Sequence, residues 1–183
     1  MDSSVRMKPL VAIIIPLLFL SFSLPGCLDD DTSSGDTYTF TTLDGEIKAL
    51  SDYHGRIVVL DMMATWCQPC QYEMLELRRV RQNYSENDVV ILSVDIDDRE
   101  TAAQLKQFKQ QFTSYGYDLE WTFGMDNGNI SKTYLGEGIP TICIFDRDGT
   151  LTFTHEGIAV YNEIPQGLPS DTPRLKTIID DML

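Results

Sequence analysis

Two cysteines separated by two residues, in the run Cys67-Gln68-Pro69-Cys70, are the side chains of this protein best placed to do chemistry. The residues before them are apolar and those after them are amphipathic, so the pair falls between the end of a strand and the start of a helix. The first turn of a helix has unpaired N–H groups and a partial positive charge, which stabilise a thiolate at Cys67. Pro69 suits that first turn because its φ is preset and it has no N–H to leave unpaired. Cys70, one turn on, is near enough to attack a mixed disulfide formed at Cys67. An exposed attacking thiol with a resolving thiol beside it is what thiol–disulfide exchange requires. A zinc site would need two more ligands, and Cys143, His54 and His155 do not pair at ligand spacing. A purely structural disulfide closing so small a loop would remove little unfolded-state entropy. Redox chemistry is therefore the reading these residues favour.

The elements that position the pair follow from hydrophobic periodicity. Residues 38–43 alternate and return through Asp44-Gly45 into 46–50, a small hairpin. Residues 56–63 and 89–95 are nearly continuous apolar runs, expected of strands covered on both faces. Between them, 69–84 reads as a helix with Met74, Leu75, Leu77, Val80 and Tyr84 inward, and with Glu73, Glu76, Arg78, Arg79 and Arg81 mostly on the wet side. A second helix spans 101–112 on Ala102, Leu105, Phe108 and Phe112. Residues 121–123 are a short strand and 129–134 a helical turn. Residues 141–145 and 151–155 flank Asp146-Arg147-Asp148-Gly149 as a hairpin. A last helix is capped by Thr172, starts at Pro173 and buries Leu175, Ile178, Ile179 and Leu183. The expected class is α/β with a mixed central sheet flanked by helices.

The chain has 183 residues, enough for one domain and a targeting segment. Its formal net charge of −14 speaks against nucleic acid, since little here would neutralise phosphates, and against basic contacts with an anionic membrane surface. Arg6 and Lys8 precede an apolar run from Leu10 to Leu24 of about 15 residues, short of the ~20 that span a bilayer. That is the layout of a secretory signal. Its exit, Leu24-Pro25-Gly26-Cys27, resembles the lipobox of prokaryotic lipoproteins, which implies a signal peptide at 1–26 and lipidation at Cys27. Residues 27–36 are small, polar and acidic, and read as a tether. The folded domain is expected over 37–183, on the extracytoplasmic face of the cell membrane.

The segment from Val58 to Cys70, with Trp66-Cys67-Gln68-Pro69-Cys70 at its end, resembles the active-site segment of thioredoxin-like proteins, within them the membrane-anchored TlpA and ResA type. That resemblance implies a thioredoxin-like fold with an N-terminal β-hairpin and a strand–helix insertion around 97–123. It implies Cys67 as nucleophile and Cys70 as resolving thiol. Trp66 corresponds to the tryptophan that shields the active-site surface. Asp61 corresponds to a buried carboxylate that manages the resolving thiol's proton, although the TlpA-like branch often has another polar residue there. Glu73 corresponds to the glutamate of a Cys-x-x-Glu-x-Pro pattern that tunes the thiols, with Leu75 replacing the proline; a solvated helix charge is the other reading of it. Ile139, Pro140 and Thr141 correspond to the substrate-binding cis-proline loop. Met62 and Met63 stand where aromatic residues are usual, which implies altered packing behind the site. Cys143 reads as a buried, inert thiol.

The expected activity is that of an extracytoplasmic thiol–disulfide oxidoreductase, a reductant of protein disulfides with apocytochrome c among the candidate substrates. No cofactor is expected beyond the redox-active Cys67–Cys70 disulfide, and no metal. The expected partners are protein disulfides or dithiols, a membrane thiol-transfer donor, and the membrane itself through the lipid anchor; the chain is expected to be a monomer. Two alternatives stay open: a peroxiredoxin-like peroxide reductase, and a copper-binding lipoprotein using the cysteine pair with His54 or His155.

Overall fold

A computed structural model describes residues 38–183. The signal peptide, Cys27 and the tether expected at 1–36 lie outside the described residues. The two long apolar runs form β3 (Ile57–Met63) and β4 (Val89–Asp95), every residue of which is buried. They pair in parallel, with Asp61 opposite Ser93. Such strands need cover on both faces, and the remaining elements supply it.

The hairpin is β1 (Thr39–Thr42) and β2 (Ile47–Ala49), closed by a turn in which Gly45 takes a positive φ of 87°. A single turn of 3-10 helix at Leu50–Tyr53 leads into β3. Helix α1 (Gln68–Asn83) follows β3, and helix α2 (Ala102–Ser114) follows β4. The Thr101 hydroxyl accepts from the Gln104 N–H while the Gln104 side chain accepts from the Thr101 N–H, a reciprocal cap that starts α2. Next come β5 (Thr122–Asp126), the short α3 (Ile130–Tyr134), β6 (Thr141–Phe145), β7 (Leu151–Glu156) and α4 (Leu175–Asp180).

The sheet order is β2-β1-β5-β4-β3-β6-β7. β4–β5 and β3–β4 are parallel, and the other pairs antiparallel, so the sheet is mixed as expected. The insertion α2–β5 lies between the hairpin and the central strands, and the hairpin docks on it through β1 and β5. At that seam Gly124 is obligatory, because a Cβ there would lie 2.5 Å from the Phe40 ring and 2.7 Å from the Thr41 carbonyl.

Side-chain alternation divides the core. One face gathers Ile57, Val59 and Met63 with Cys67 and Cys70, Met74 and Leu77 of α1, Leu105 of α2, and Leu175 of α4. The other gathers Val58, Leu60 and Met62 with Tyr53, Ile130 and Cys143. Met62 and Met63 thus fill opposite faces, and Cys143 lies across the sheet from the disulfide.

Three expectations need correction. Glu73 and Glu76 are buried, not wet, while Leu75 and Tyr84 are only partly covered. The two carboxylates accept the N–H groups of Ala159 and Tyr161, at 2.7 Å each, in a segment that crosses α1. The last helix begins at Leu175 rather than Pro173, because Pro173 and Arg174 are engaged with Val160 in a bridge. It ends at Asp180, which leaves Leu183 outside it and 55% exposed.

Candidate active site

Burial of β3 and amphipathy of α1 bring Cys67 to the N-cap of α1, with φ −76° and ψ 104°. Cys67 and Cys70 are joined as a disulfide. The N–H of Cys70 donates to Cys67 Sγ at 3.2 Å, so the positive end of the helix is directed at that sulfur. Cys67 is only 4% exposed and Cys70 fully buried, where an exposed attacker was expected. The cover over Cys67 comes from the cis-proline loop: the Ile139 carbonyl oxygen lies 3.8 Å from Cys67 Sγ. Ile139-Pro140 is cis. The loop is held by the Thr141 hydroxyl, which donates to the Gly138 carbonyl at 2.6 Å, and by the Gly157 N–H, which donates to Pro140 at 2.8 Å.

Trp66 projects from the turn with 59% of its surface exposed, and its indole N–H donates to Asp97 Oδ2 at 2.8 Å. Arg99 grips the same carboxylate through Nε at 2.8 Å and Nη2 at 2.6 Å, which holds Asp97 well below the usual carboxylate range. Glu100 accepts the N–H of Thr65 at 2.8 Å and also the Thr65 hydroxyl. The Gln71 side chain donates to the Thr65 carbonyl at 2.8 Å, and the Ile96 N–H to the Met63 carbonyl at 3.0 Å. The loop after β4 therefore clamps the turn that presents Cys67. Between this loop and the cis-proline loop runs a groove of about 330 Å³, floored by Ala64, Trp66, Ile96, Leu135 and Ile139.

Two buried carboxyls lie on the disulfide's side of the sheet. Asp61 is completely buried, on the disulfide face of β3 by alternation with Val59 and Met63. Its Oδ2 accepts from the Ser93 hydroxyl at 2.7 Å, and its Oδ1 has no partner. Burial raises its pKa to about 7, partly offset by the Ser93 bond. Glu73 Oε1 accepts from Ala159, and Oε2 is unpartnered. Burial first, then repulsion from Asp61, lifts Glu73 well above the carboxylate range. The two groups expected from sequence thus lie close enough to repel each other.

Sequence reasoning missed Ser93, Trp121, Asp97 and Glu100. Ser93 carried one signal: like Asp61, it is a polar residue in the middle of an otherwise apolar strand, and the two strands pair in register at that point. Of the histidines, His54 is exposed and His155 stacks on Phe153. Among the described residues no three His, Cys, Asp or Glu side chains are grouped to hold a metal ion.

Residues 33–154 match the model of the AhpC/TSA family. The chain is 32% identical over 137 residues to the thiol-disulfide oxidoreductase ResA of Bacillus thuringiensis subsp. konkukian (strain 97-27), covering 74% of this chain and 75% of that one. Two solved structures share the fold. One, from Chlorobium tepidum, is described as a thiol:disulfide interchange protein DsbE; it has a TM-score of 0.64 at 23% identity, with 81% of this chain and 94% of that one covered. The other is the pneumococcal exposed lipoprotein thioredoxin of Streptococcus pneumoniae strain TIGR4, with a TM-score of 0.58 at 23% identity, covering 78% of this chain and 97% of that one.

Proposed function

This chain belongs to the AhpC/TSA family and is a thiol–disulfide oxidoreductase of the ResA type, and from that premise we propose that it reduces protein disulfides outside the cytoplasm, with Cys67 as nucleophile and Cys70 as resolving thiol. The observation that carries the reading is the Cys67–Cys70 disulfide at the positive end of α1, with the cis-proline loop against Cys67 and the buried carboxyls of Asp61 and Glu73 on the same side of the sheet.

In the reduced chain the Cys67 thiolate attacks one sulfur of a substrate disulfide. That S–S bond breaks, a mixed disulfide forms, and the departing substrate thiolate takes a proton from water. Cys70 then gives its proton to the Asp61 carboxylate and attacks Cys67 Sγ. The bond between Cys67 and the substrate breaks, the second substrate sulfur leaves as a thiolate that takes a proton from water, and the two electrons of the dithiol have passed to the substrate. A carboxyl held near neutrality is suited to that proton transfer, since both its forms are populated at working pH. Trp66 and Ile139 line the groove in which the substrate chain lies, and Pro140 and Thr141 shape the loop. Glu73 repels the Asp61 charge and so tunes the same proton.

The finer assignments rest on sequence. The run Leu24-Pro25-Gly26-Cys27 supports lipidation at Cys27 and an extracytoplasmic place, and one structural neighbour is itself a lipoprotein. A membrane thiol-transfer protein would restore the dithiol, and the cysteine pair of an apocytochrome c is the proposed substrate. The test is trapping. With an oxidised apocytochrome peptide, Cys70→Ala should accumulate a mixed disulfide that Cys67→Ala does not form. Trapping by Cys67→Ala alone would reverse the two roles.

A further inference from the structure

We propose that Trp121 and Ser93 are positioning residues for Asp61, joined in a one-way hydrogen-bond chain that occupies Oδ2 and leaves Oδ1 as the atom that exchanges the Cys70 proton. The proposal rests on the reading of Asp61 as the base.

The direction of the chain is set by chemistry. An indole N–H can only donate. The Trp121 N–H donates to Ser93 Oγ at 2.9 Å, which leaves the single hydroxyl hydrogen of Ser93 for an acceptor: Asp61 Oδ2 at 2.7 Å, with Met74 Sδ a far weaker second at 4.0 Å. Ser93 and Asp61 are fully buried and Trp121 is 6% exposed. With Oδ2 of the ionised carboxylate held as an acceptor, the oxygen left free to take up a proton is Oδ1, which is buried and unpartnered. Trp121 stands at the entrance to β5, so the α2–β5 insertion delivers the donor. Its indole is fixed by stacking on Phe123, and its carbonyl accepts from Lys109 at 3.1 Å.

The other groups around Asp61 do not supply this bond. From α1 come Glu73, which repels it, and Cys70. On β6 its register partner is Ile142, and α2 packs Leu105 and Phe108 on this face. Asp95 lies two positions beyond Ser93 on the same strand, and the cation of Lys109 is engaged at Trp121. A donor to the ionised carboxylate favours ionisation, so the chain opposes the effect of burial.

The test follows aspartate carboxyl carbons by NMR across pH in the full-length disulfide form, where neither Cys67 nor Cys70 titrates, with Asp61→Asn identifying the resonance. Ser93→Ala should raise the Asp61 midpoint by about one pH unit. Trp121→Phe, which frees the hydroxyl to turn, should raise it less and in the same direction. A midpoint unmoved by Ser93→Ala overturns the proposal. The reading of Asp61 as base is tested separately: its removal should abolish the inflection near neutral pH in the rate at which Cys70 resolves the mixed disulfide. An unchanged rate profile in Asp61→Asn would overturn that reading and leave the NMR result to be judged alone.

Discussion

Trp66 and Asp97 stand 31 positions apart, and the Trp66 indole N–H donates to Asp97 Oδ2 at 2.8 Å while Arg99 holds both oxygens of that carboxylate. The exposed indole beside Cys67 is therefore held in place. Asp97→Ala should loosen it, raising KM for a protein disulfide by about threefold to tenfold, the scale of one lost hydrogen bond. The Asp97 side chain is only 8% exposed and also accepts the Arg99 N–H at 3.0 Å, so the melting temperature should fall too, by about 2–4 °C for each kcal/mol lost. Steady-state kinetics and a thermal melt check both halves.

Glu100 reaches the same turn from below, at the N–H and hydroxyl of Thr65. Glu100→Ala should cost about 1.5–3 kcal/mol, as for hydrogen bonds to a charged group. It should also slow disulfide exchange, because the turn that sets Cys67 is no longer clamped. Glu100→Gln, which keeps one acceptor, should recover part of both. Denaturant unfolding with a parallel exchange assay decides it.

The bond between Ala159 and Glu73 predicts a split between two substitutions. Glu73→Ala leaves a buried N–H without an acceptor and should destabilise the chain by about 1–3 kcal/mol. Glu73→Gln keeps an acceptor and removes a buried acid that repels Asp61, so it should cost much less. Equal losses in the two variants would mean that the carbonyl-like acceptor is not what matters at this position.

Stability should fall as pH rises through the neutral range. Burial lifts Asp61 from an ordinary 3.8 to about 7, and Glu73 moves in the same direction. Between those values the folded chain keeps a proton that the unfolded chain has released, so its advantage is complete below the lower value and is lost as pH passes the upper one. Unfolding of the disulfide form from about pH 4 to about pH 8 should show this decline, and Asp61→Asn should flatten it. An identical slope in parent and variant would contradict the assignment.

The parts legible from sequence were those with local signals. Continuous apolar runs marked β3 and β4, Asp44-Gly45 marked the hairpin turn, and the strand-to-helix setting of the cysteine pair marked the site. Glu73 and Glu76 were placed on the wet side because charge on a helix wheel reads as exposure; their partners at 159–161 carry no periodic signal. Thr172 and Pro173 looked like a helix start, and only the pairing with Val160 shows why the helix waits until Leu175. Ser93 and Trp121 become functional candidates only when register and the insertion bring them to Asp61.

The reduction potential of Cys67–Cys70, measured against a thiol–disulfide buffer on the full-length chain, tests the central claim most directly. A reversible two-electron couple near or below about −250 mV is the predicted result, and it matches a reductant of thioredoxin character. A value near about −120 mV would contradict the proposed direction of electron flow and make the protein an oxidant, and the absence of any reversible couple would contradict dithiol chemistry at this pair altogether.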